Sequence, residues 1–162
     1  MKQKGFSLIE LLIVVTLVGI IAAIAVPNFI SAKRSANEGS AIGSTKVILG
    51  AQTTYVSTTG VGDYGDLIDL ASTRSIDILL GAGVKSGYTF EVVTFAKSST
   101  QVARFDLSVN AAIFGNAIAA TGNRNFYSNE SSVIYENRNG QDNPPSSTSA
   151  TNRIVINGTP ID

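Results

Sequence analysis

The sequence contains no cysteine and no histidine, and its charges balance at twelve basic and twelve acidic side chains. Without cysteine, no disulfide can hold the chain together and the redox compartment cannot be inferred. The absence of both residue types also removes the usual ligands for zinc, copper and haem, so only metals with oxygen ligands are compatible. With no block of like charge, the chain has no electrostatic footprint for nucleic acid or for an anionic lipid surface.

The sequence patterns of common enzymes are also missing. There is no phosphate-binding glycine loop and no nucleophile elbow, and a serine nucleophile would lack a histidine to activate it. The aspartates at positions 63, 66, 69 and 77 do not form the D-x-D-x-D-G pattern of a calcium loop, and Asp66 and Asp69 are interpreted as a solvated face. We therefore predict no catalytic site, no cofactor and no metal site.

The sequence does contain one long apolar run near its N-terminus. From Phe6 to Val26, every residue is apolar or small except Ser7, Glu10 and Thr16. As a helix, the run spans about 32 Å, which matches a hydrocarbon core of about 30 Å. It is longer than the apolar core of a secretory signal peptide, which has about 7–15 residues. The signal peptide remains the alternative because alanines at the end of the run mimic its cleavage site, but that alternative leaves the acid unexplained.

Glu10 is the one acid inside the run. A carboxylate in hydrocarbon costs roughly 2.5–3.5 kcal/mol, so such a residue is a functional-site candidate that needs a partner. One interpretation is that the side chain reaches the membrane interface from the first turns of the helix. The other supposes a cut after Gly5, which would place an ammonium on Phe6, four residues away on the same helix face. Because one subunit cannot easily fold its own terminus back onto that face, a neighbouring copy is the better partner.

The stretch KGFSLIELLIVVTLVGIIAAIAVPNF, residues 4–29, resembles the N-terminus of type IV pilins and of the pseudopilins of type II secretion. The shared features are a short basic leader, Gly before Phe, an acid four residues beyond that Phe, an apolar helix and a downstream Pro. The resemblance covers about residues 1–57. It implies that prepilin peptidase cleaves between Gly5 and Phe6, that Phe6 becomes N-methylated, and that Glu10 pairs with the terminus of a neighbouring subunit during assembly.

The resemblance also implies that the chain has three parts. Residues 1–5 are a leader peptide, residues 6–28 are a transmembrane and filament-core helix, and residues 29–162 are a periplasmic or extracellular head. The precursor is a single-pass protein of the bacterial inner membrane with a cytoplasmic N-terminus, an orientation that the lysines of the leader favour. It then becomes part of an extracellular filament. The implied partners are further copies of the chain, prepilin peptidase and the inner-membrane pilus assembly platform.

Two residues weaken the helix locally. Gly19 lowers helix propensity by about 1 kcal/mol relative to Ala, and Pro27 removes a hydrogen bond within the helix. Both are tolerated in membrane helices, so they need have no function. The resemblance implies that, in pilins, loss of regular hydrogen bonding between these positions helps the filament to stretch.

Helical spacing continues beyond the apolar run to about residue 57, and Gly60 and Gly62 then predict a stop. The apolar positions form two neighbouring rows, which are Ile42, Leu49 and Val56, and Ala41, Ile48, Ala51 and Tyr55. This part of the helix is therefore predicted to be amphipathic.

The remainder of the chain predicts short helical turns and strands. Residues 63–84 read as a loop with one or two helical turns. Tyr88–Phe95 and Val102–Val109 alternate apolar and polar residues and are predicted to form a hairpin. Further strands are predicted at Ser132–Glu136 and Arg153–Ile156, and residues 122–153 are otherwise interpreted as mostly loop. The predicted fold class is α+β: a long N-terminal helix packed against a small antiparallel sheet, as in pilins.

The predicted function is structural, with no enzymatic activity: a prepilin that is cleaved, N-methylated and polymerised into a type IV pilus. A pseudopilin of type II secretion is the first alternative, but it would imply an acidic calcium loop near the C-terminus, which ATNRIVINGTPID does not contain. A membrane-anchored binding module that does not polymerise is the second. Many pilins close their C-terminal region with a disulfide, so the strands and loops of this chain must hold that region unaided.

Overall fold

The computed structural model describes residues 5–138, 146–147 and 153–161. The chain divides into two compact units, one that ends at Lys33 and one that begins at Arg34, and the first helix contributes residues to both. The elements are α1 (Leu8–Ser57), α2 (Leu67–Ser72), α3 (Ile78–Gly81), β1 (Val84–Lys85), β2 (Tyr88–Phe95), β3 (Arg104–Ala111), β4 (Asn125–Asn129), β5 (Tyr135–Asn137), β6 (Ser146–Ser147), β7 (Val155–Ile156) and β8 (Thr159–Pro160). The predicted α+β class, a long N-terminal helix with a small antiparallel sheet, is confirmed.

Helix α1 ends where the sequence predicts a stop. After Ser57 the chain leaves the helix through a turn in which the N–H of Gly60 donates to the carbonyl of Tyr55 at 2.8 Å. A Cβ atom at position 60 would lie 2.1 Å from the carbonyl oxygen of Asp63, so the turn requires glycine there. The prediction of one or two helical turns within residues 63–84 is also confirmed, and the structure has two, α2 and α3.

The main sheet has six antiparallel strands in the order β1-β2-β3-β4-β5-β8. Strands β1 and β2 are joined by the two-residue turn Ser86-Gly87, in which both residues have positive φ, at 50° and 73°. This conformation matches the right-handed twist of the strands and explains why glycine occupies the second position. Strands β2 and β3 pair along their whole length, from Tyr88 opposite Ala111 to Phe95 opposite Arg104.

The predicted hairpin is confirmed, with β2 at the predicted bounds and β3 two residues later than predicted. The interpretation of residues 125–129 as loop was wrong, because they form β4, which is buried along its length. Its polar side chains find partners that a sequence pattern does not reveal. The Asn125 side chain accepts from the N–H of Ala111 at 3.0 Å, and the Ser128 hydroxyl donates to the carbonyl of Val133 at 2.9 Å. Burial of such groups carries little cost once they are hydrogen-bonded.

Two further strand predictions need correction. The strand predicted at Ser132–Glu136 begins only at Tyr135, because Ser132 has a φ of 59° in the turn that follows β4. The strand predicted at Arg153–Ile156 is β7, which pairs with β6 in a separate two-stranded sheet, and β8 supplies the sixth strand of the main sheet instead. Part of the predicted loop, at residues 139–145 and 148–152, lies outside the described residues.

The core of the second unit lies between the later turns of α1 and the inner face of the sheet. Helix α1 contributes buried residues from both predicted rows, while its polar residue Gln52 is also buried. The Gln52 amide donates to the carbonyl of Gly65 at 2.6 Å and accepts from the N–H of Gly65 at 3.1 Å, which fixes the chain at the entrance to α2. The main buried side chains from the other elements are Leu67, Leu70, Leu80, Tyr88, Phe90, Phe105, Leu107, Val109 and Phe126.

Candidate functional site

The candidate residues nearest the N-terminus lie at the start of α1. Gly5 and Phe6 precede the helix, and the Phe6 side chain is 80% exposed. Glu10 lies in the first helical turn and is also exposed, and its carboxylate has no hydrogen bond or ion pair within the described residues. A carboxylate at a helix N-terminus is stabilised by the helix dipole by about 0.3–1 kcal/mol. That interaction is the only one the isolated chain offers Glu10 in the part that the structure describes.

The side chains of α1 from Leu8 to Phe29 form a continuous apolar surface that is exposed on every side. Each of its large apolar residues is more than half exposed. Among the described residues, α1 is the one helix long and apolar enough to cross a membrane. A helix that is hydrophobic all round is normally buried in a large protein or in a membrane. The surface of this part of α1 therefore needs a lipid or protein environment.

The two residues predicted to weaken the helix both lie within α1. A Cβ atom at Gly19 would meet no other atom within 4 Å, so the glycine is not required by packing within the chain. Pro27 lies inside the helix, which continues without interruption on both sides of it. Since proline has no N–H, the carbonyl of Ala23 loses its helical donor at this point. The predicted role of these residues in filament stretching stays a prediction.

A chain of ion pairs connects α1 with the sheet in the second unit. Glu38, which is buried on α1, accepts from the N–H of Asn123 and from the Arg124 side chain, both at 2.8 Å. Arg124 also donates to Glu136 on β5 at 2.6 Å. No local sequence pattern predicts these pairs, because the three charged residues are distant in the sequence. They hold the helix against β4 and β5.

The pKa of Glu136 links these ion pairs to pH. Burial alone would raise the pKa of this carboxyl, but hydrogen bonds from Arg124 and Arg138 and their charges bring it below its ordinary value of 4.5. A carboxyl with a lower pKa in the folded state stabilises the fold fully above its unfolded pKa, and this stabilisation is lost as the pH falls through the folded value. The pairs made by Glu136 should therefore weaken in acid.

We expect the thermal midpoint of the detergent-solubilised chain to fall as the pH is lowered from about 5 to about 3, in part because Glu136 takes up a proton. The variant Glu136→Gln should be less stable than the parent at pH 7 and should lose less on acidification. Glu91→Gln is a matched control, because Glu91 is exposed on β2. Equal pH profiles for the parent and Glu136→Gln, measured by circular dichroism, would contradict this role.

Arg153 holds the C-terminal segment in a chain that has no disulfide. Its guanidinium donates two hydrogen bonds to the carboxylate of Glu130, both at 2.7 Å, and further bonds to Asp106 at 2.7 Å and to the carbonyl of Phe105 at 2.8 Å. These partners raise the pKa of Arg153 against the opposing effect of burial. The two-pronged contact of a guanidinium with a carboxylate is among the strongest geometries for an ion pair. Arg153, which lies two residues before β7, is thereby attached to β3 and to the end of β4.

The aspartates of residues 63–77 have structural partners. Asp66 and Asp69 form a reciprocal capping box at the start of α2, with hydrogen bonds of 2.7 and 3.2 Å. Asp77 caps α3 and pairs with Lys85 at 2.7 Å, and Asp63 accepts from the N–H of Lys97 at 2.7 Å. No group of three acidic side chains suited to a metal occurs within the described residues. Asp66, Asp69 and Asp77 therefore fix the starts of two short helices.

The N-terminal region resembles that of proteins from several bacteria. Residues 1–26 match the family model of the prokaryotic N-terminal methylation motif. The type IV major pilin protein PilA of Myxococcus xanthus is 43% identical over 56 residues, which are 35% of this chain and 26% of the relative. The type IV narrow pilus major component PilA5 of Thermus thermophilus is 53% identical over 38 residues, which are 24% of this chain and 33% of the relative.

One relative matches the chain well beyond the N-terminal helix. The fimbrial protein EcpC of Eikenella corrodens is 32% identical over 119 residues, which are 71% of this chain and 76% of the relative. By contrast, the chain spans only about a quarter to a third of the length of the two pilus components. No solved structure matches the chain significantly.

Proposed function

Because the chain belongs to the type IV pilin family, we propose that it is a prepilin whose mature form polymerises into a type IV pilus at the cell surface. The observation that carries the proposal is the combination of the methylation motif with a helix whose apolar side chains are exposed on every side. Soluble monomers rarely expose apolar patches larger than a few hundred Å². A bilayer can cover this surface before assembly, and neighbouring copies of the helix can cover it in a filament.

Before assembly, the helix would anchor the precursor in the bacterial inner membrane. The N-terminus would lie in the cytoplasm, where prepilin peptidase removes residues 1–5 and Phe6 is methylated. Gly5 and Phe6 precede the first turn of α1 and are exposed, so the bond between them is accessible in the isolated chain. The inner-membrane assembly platform would then receive the mature subunit. In this function the chain is a peptidase substrate and a building block, with no catalytic residue, cofactor or metal of its own.

During assembly, the carboxylate of Glu10 would pair with the α-ammonium of Phe6 on a neighbouring subunit. Two features of the helix support this role. The carboxylate has no partner in the described part of its own chain, and its neighbours on the helix surface are exposed apolar residues. In an apolar filament core, an unpaired charge would be costly, whereas a charge with one particular partner would favour a single arrangement of the subunits. The pair would therefore set the position of the incoming subunit. Gly19 and Pro27 would give the assembled helix local flexibility.

The proposal is tested by deleting the gene and examining the cells by electron microscopy. Loss of surface filaments, with recovery when the gene is supplied in trans, is the expected result. Surface filaments that remain unchanged in number and appearance in the deletion strain would contradict a role as the filament subunit. A secretion defect in cells that keep their surface filaments would indicate a pseudopilin instead.

A further inference from the structure

One end of the main sheet carries an exposed apolar surface. Helix α3 lies beside β1 and packs against α2, and each of the two helices exposes large apolar side chains while it buries others. The exposed residues are Ile68, at 72% exposure, Ile78, at 84%, and Leu79, at 67%. We call these three side chains the apolar knob. Both helices are capped, because the carboxylates of Asp66 and Asp77 accept hydrogen bonds from backbone N–H groups in the first turns of α2 and α3.

The opposite end of the sheet carries an apolar groove. It has a volume of about 350 Å³ and runs between α1 and the segments next to β5 and β8. Its floor is held in place by a backbone hydrogen bond of 2.8 Å from the N–H of Ile161 to the carbonyl of Ile134. The lining residues are Ile42, Lys46, Leu49, Ser132, Val133, Ile134 and Ile161.

The knob and the groove lie at opposite edges of one subunit. Strand β1, beside the knob, and strand β8, beside the groove, are the two outer strands of the sheet. At about 4.8 Å per strand spacing, the six strands separate these edges by about 24 Å. Two different complementary surfaces on one subunit generate a head-to-tail contact, which forms an open helical filament when the rotation does not close.

The charges beside the two surfaces are also complementary. Lys46 is exposed and is the one charged side chain among the described residues that line the groove. At the knob, Ile68 is flanked by the exposed acids Asp66 and Asp69. Asp77 is already paired with Lys85, whereas the carboxylates of Asp66 and Asp69 accept only backbone N–H groups at the start of α2, so no described basic side chain neutralises their charge. A docked neighbour would bring these acids to the basic rim of the groove, where opposite charges favour the correct partner.

From these features we infer that the apolar knob of one head docks in the groove of the next head in the filament. The occupant of the groove is a second copy of this chain, and the pair of Lys46 with the acids of α2 sets the register. This inference rests on the proposed function, because it needs a polymer. It adds a contact between heads that is separate from the contact made by Glu10.

The absence of native cysteine makes this contact testable by disulfide cross-linking. The double variant Leu79→Cys with Val133→Cys places one thiol on the knob and one on the groove, and a disulfide forms only when the two Cβ atoms approach to about 4 Å. Mild oxidation of purified filaments should give a ladder of linked subunits on a non-reducing gel. Each single variant should give no species beyond a dimer. Ile118→Cys with Val133→Cys is the matched control, because Ile118 is exposed but belongs to neither surface.

The outcomes separate this inference from the proposed function. Filaments of the first double variant that yield only monomers, or a ladder of equal strength from the control pair, would overturn the docking of knob and groove. If the first pair prevents assembly, Ile78→Cys with Ser132→Cys is used in the same way. When Lys46→Glu is added to the double cysteine variant, the fraction of linked subunits should fall severalfold, whereas Lys46→Arg in the same variant should retain it. Absence of any filament containing the unmodified chain would instead overturn the proposed function.

Discussion

Replacement of Glu10 by Gln is expected to abolish surface filaments while the processed subunit accumulates in the inner membrane. Glutamine keeps the size of the side chain and removes its charge. In the filament, the ammonium of the neighbouring Phe6 would then be buried without a counter-ion. Breaking a buried pair in this way costs about 3–5 kcal/mol, and each 1.4 kcal/mol is a factor of about ten in an equilibrium constant. The addition of each subunit would therefore become less favourable by roughly two to four orders of magnitude.

Two other roles for Glu10 give a different result. If the carboxylate only reaches the membrane interface, its replacement makes insertion slightly easier and leaves the filaments unchanged. If it only interacts with the helix dipole, the loss is about 0.3–1 kcal/mol, which is too small to stop assembly. Glu91→Gln is the matched control, since it neutralises an exposed glutamate of the head. Filament yield is measured by shearing cells and by electron microscopy, and a normal yield from Glu10→Gln as the only subunit would exclude the pairing.

Replacement of Gly5 by Leu is expected to leave the uncleaved precursor in the membrane. Within the chain, a Cβ atom at position 5 would meet no other atom within 4 Å, so the substitution should not disturb the subunit itself. The effect would arise in the peptidase, which must approach the extended backbone closely at the cut, where only glycine lacks a Cβ atom. Cleavage, and with it filament formation, should be lost.

Gly19→Leu is the control for this substitution. It adds the same side chain to a glycine that also has open space around it, but fourteen residues further along the sequence. The precursor with this change should be cleaved at the normal rate. Immunoblots of membrane fractions distinguish the precursor from the mature chain, which is five residues shorter if the cut follows Gly5. Normal cleavage of Gly5→Leu would mean that the peptidase does not require glycine there.

The parts of the fold that follow from local patterns could be predicted from the sequence. The extent of α1 follows from its continuous helical spacing, and β2 follows from its alternation of apolar and polar residues. The predicted stop at Gly60 also depends on a local requirement, since no Cβ atom fits there. In each case the neighbours along the chain carry the information.

The parts that depend on distant partners could not be predicted in this way. Strand β4 looks like a loop because of its asparagines and serine, and only the burial of those side chains against bonded partners makes it a strand. The contacts of Glu38 with Arg124 and of Arg153 with Glu130 join residues that lie far apart in the sequence. The knob and the groove likewise exist only once the sheet brings β1 and β8 to its two edges. The roles of Gly5, Phe6 and Glu10 rest on the apolar surroundings of Glu10 and on the resemblance to pilins, and they stay predictions.

The intact mass of the subunit in purified surface filaments tests the central claim most directly. The claim is that this chain is cleaved after Gly5, methylated on Phe6 and built into the filament. The predicted mass is that of residues 6–162 with one added methyl group, a chain from which Lys2 and Lys4 have been removed. Filaments that lack this chain, or that contain it at full length or with an N-terminus after Ala23 or Ala25, would contradict the account.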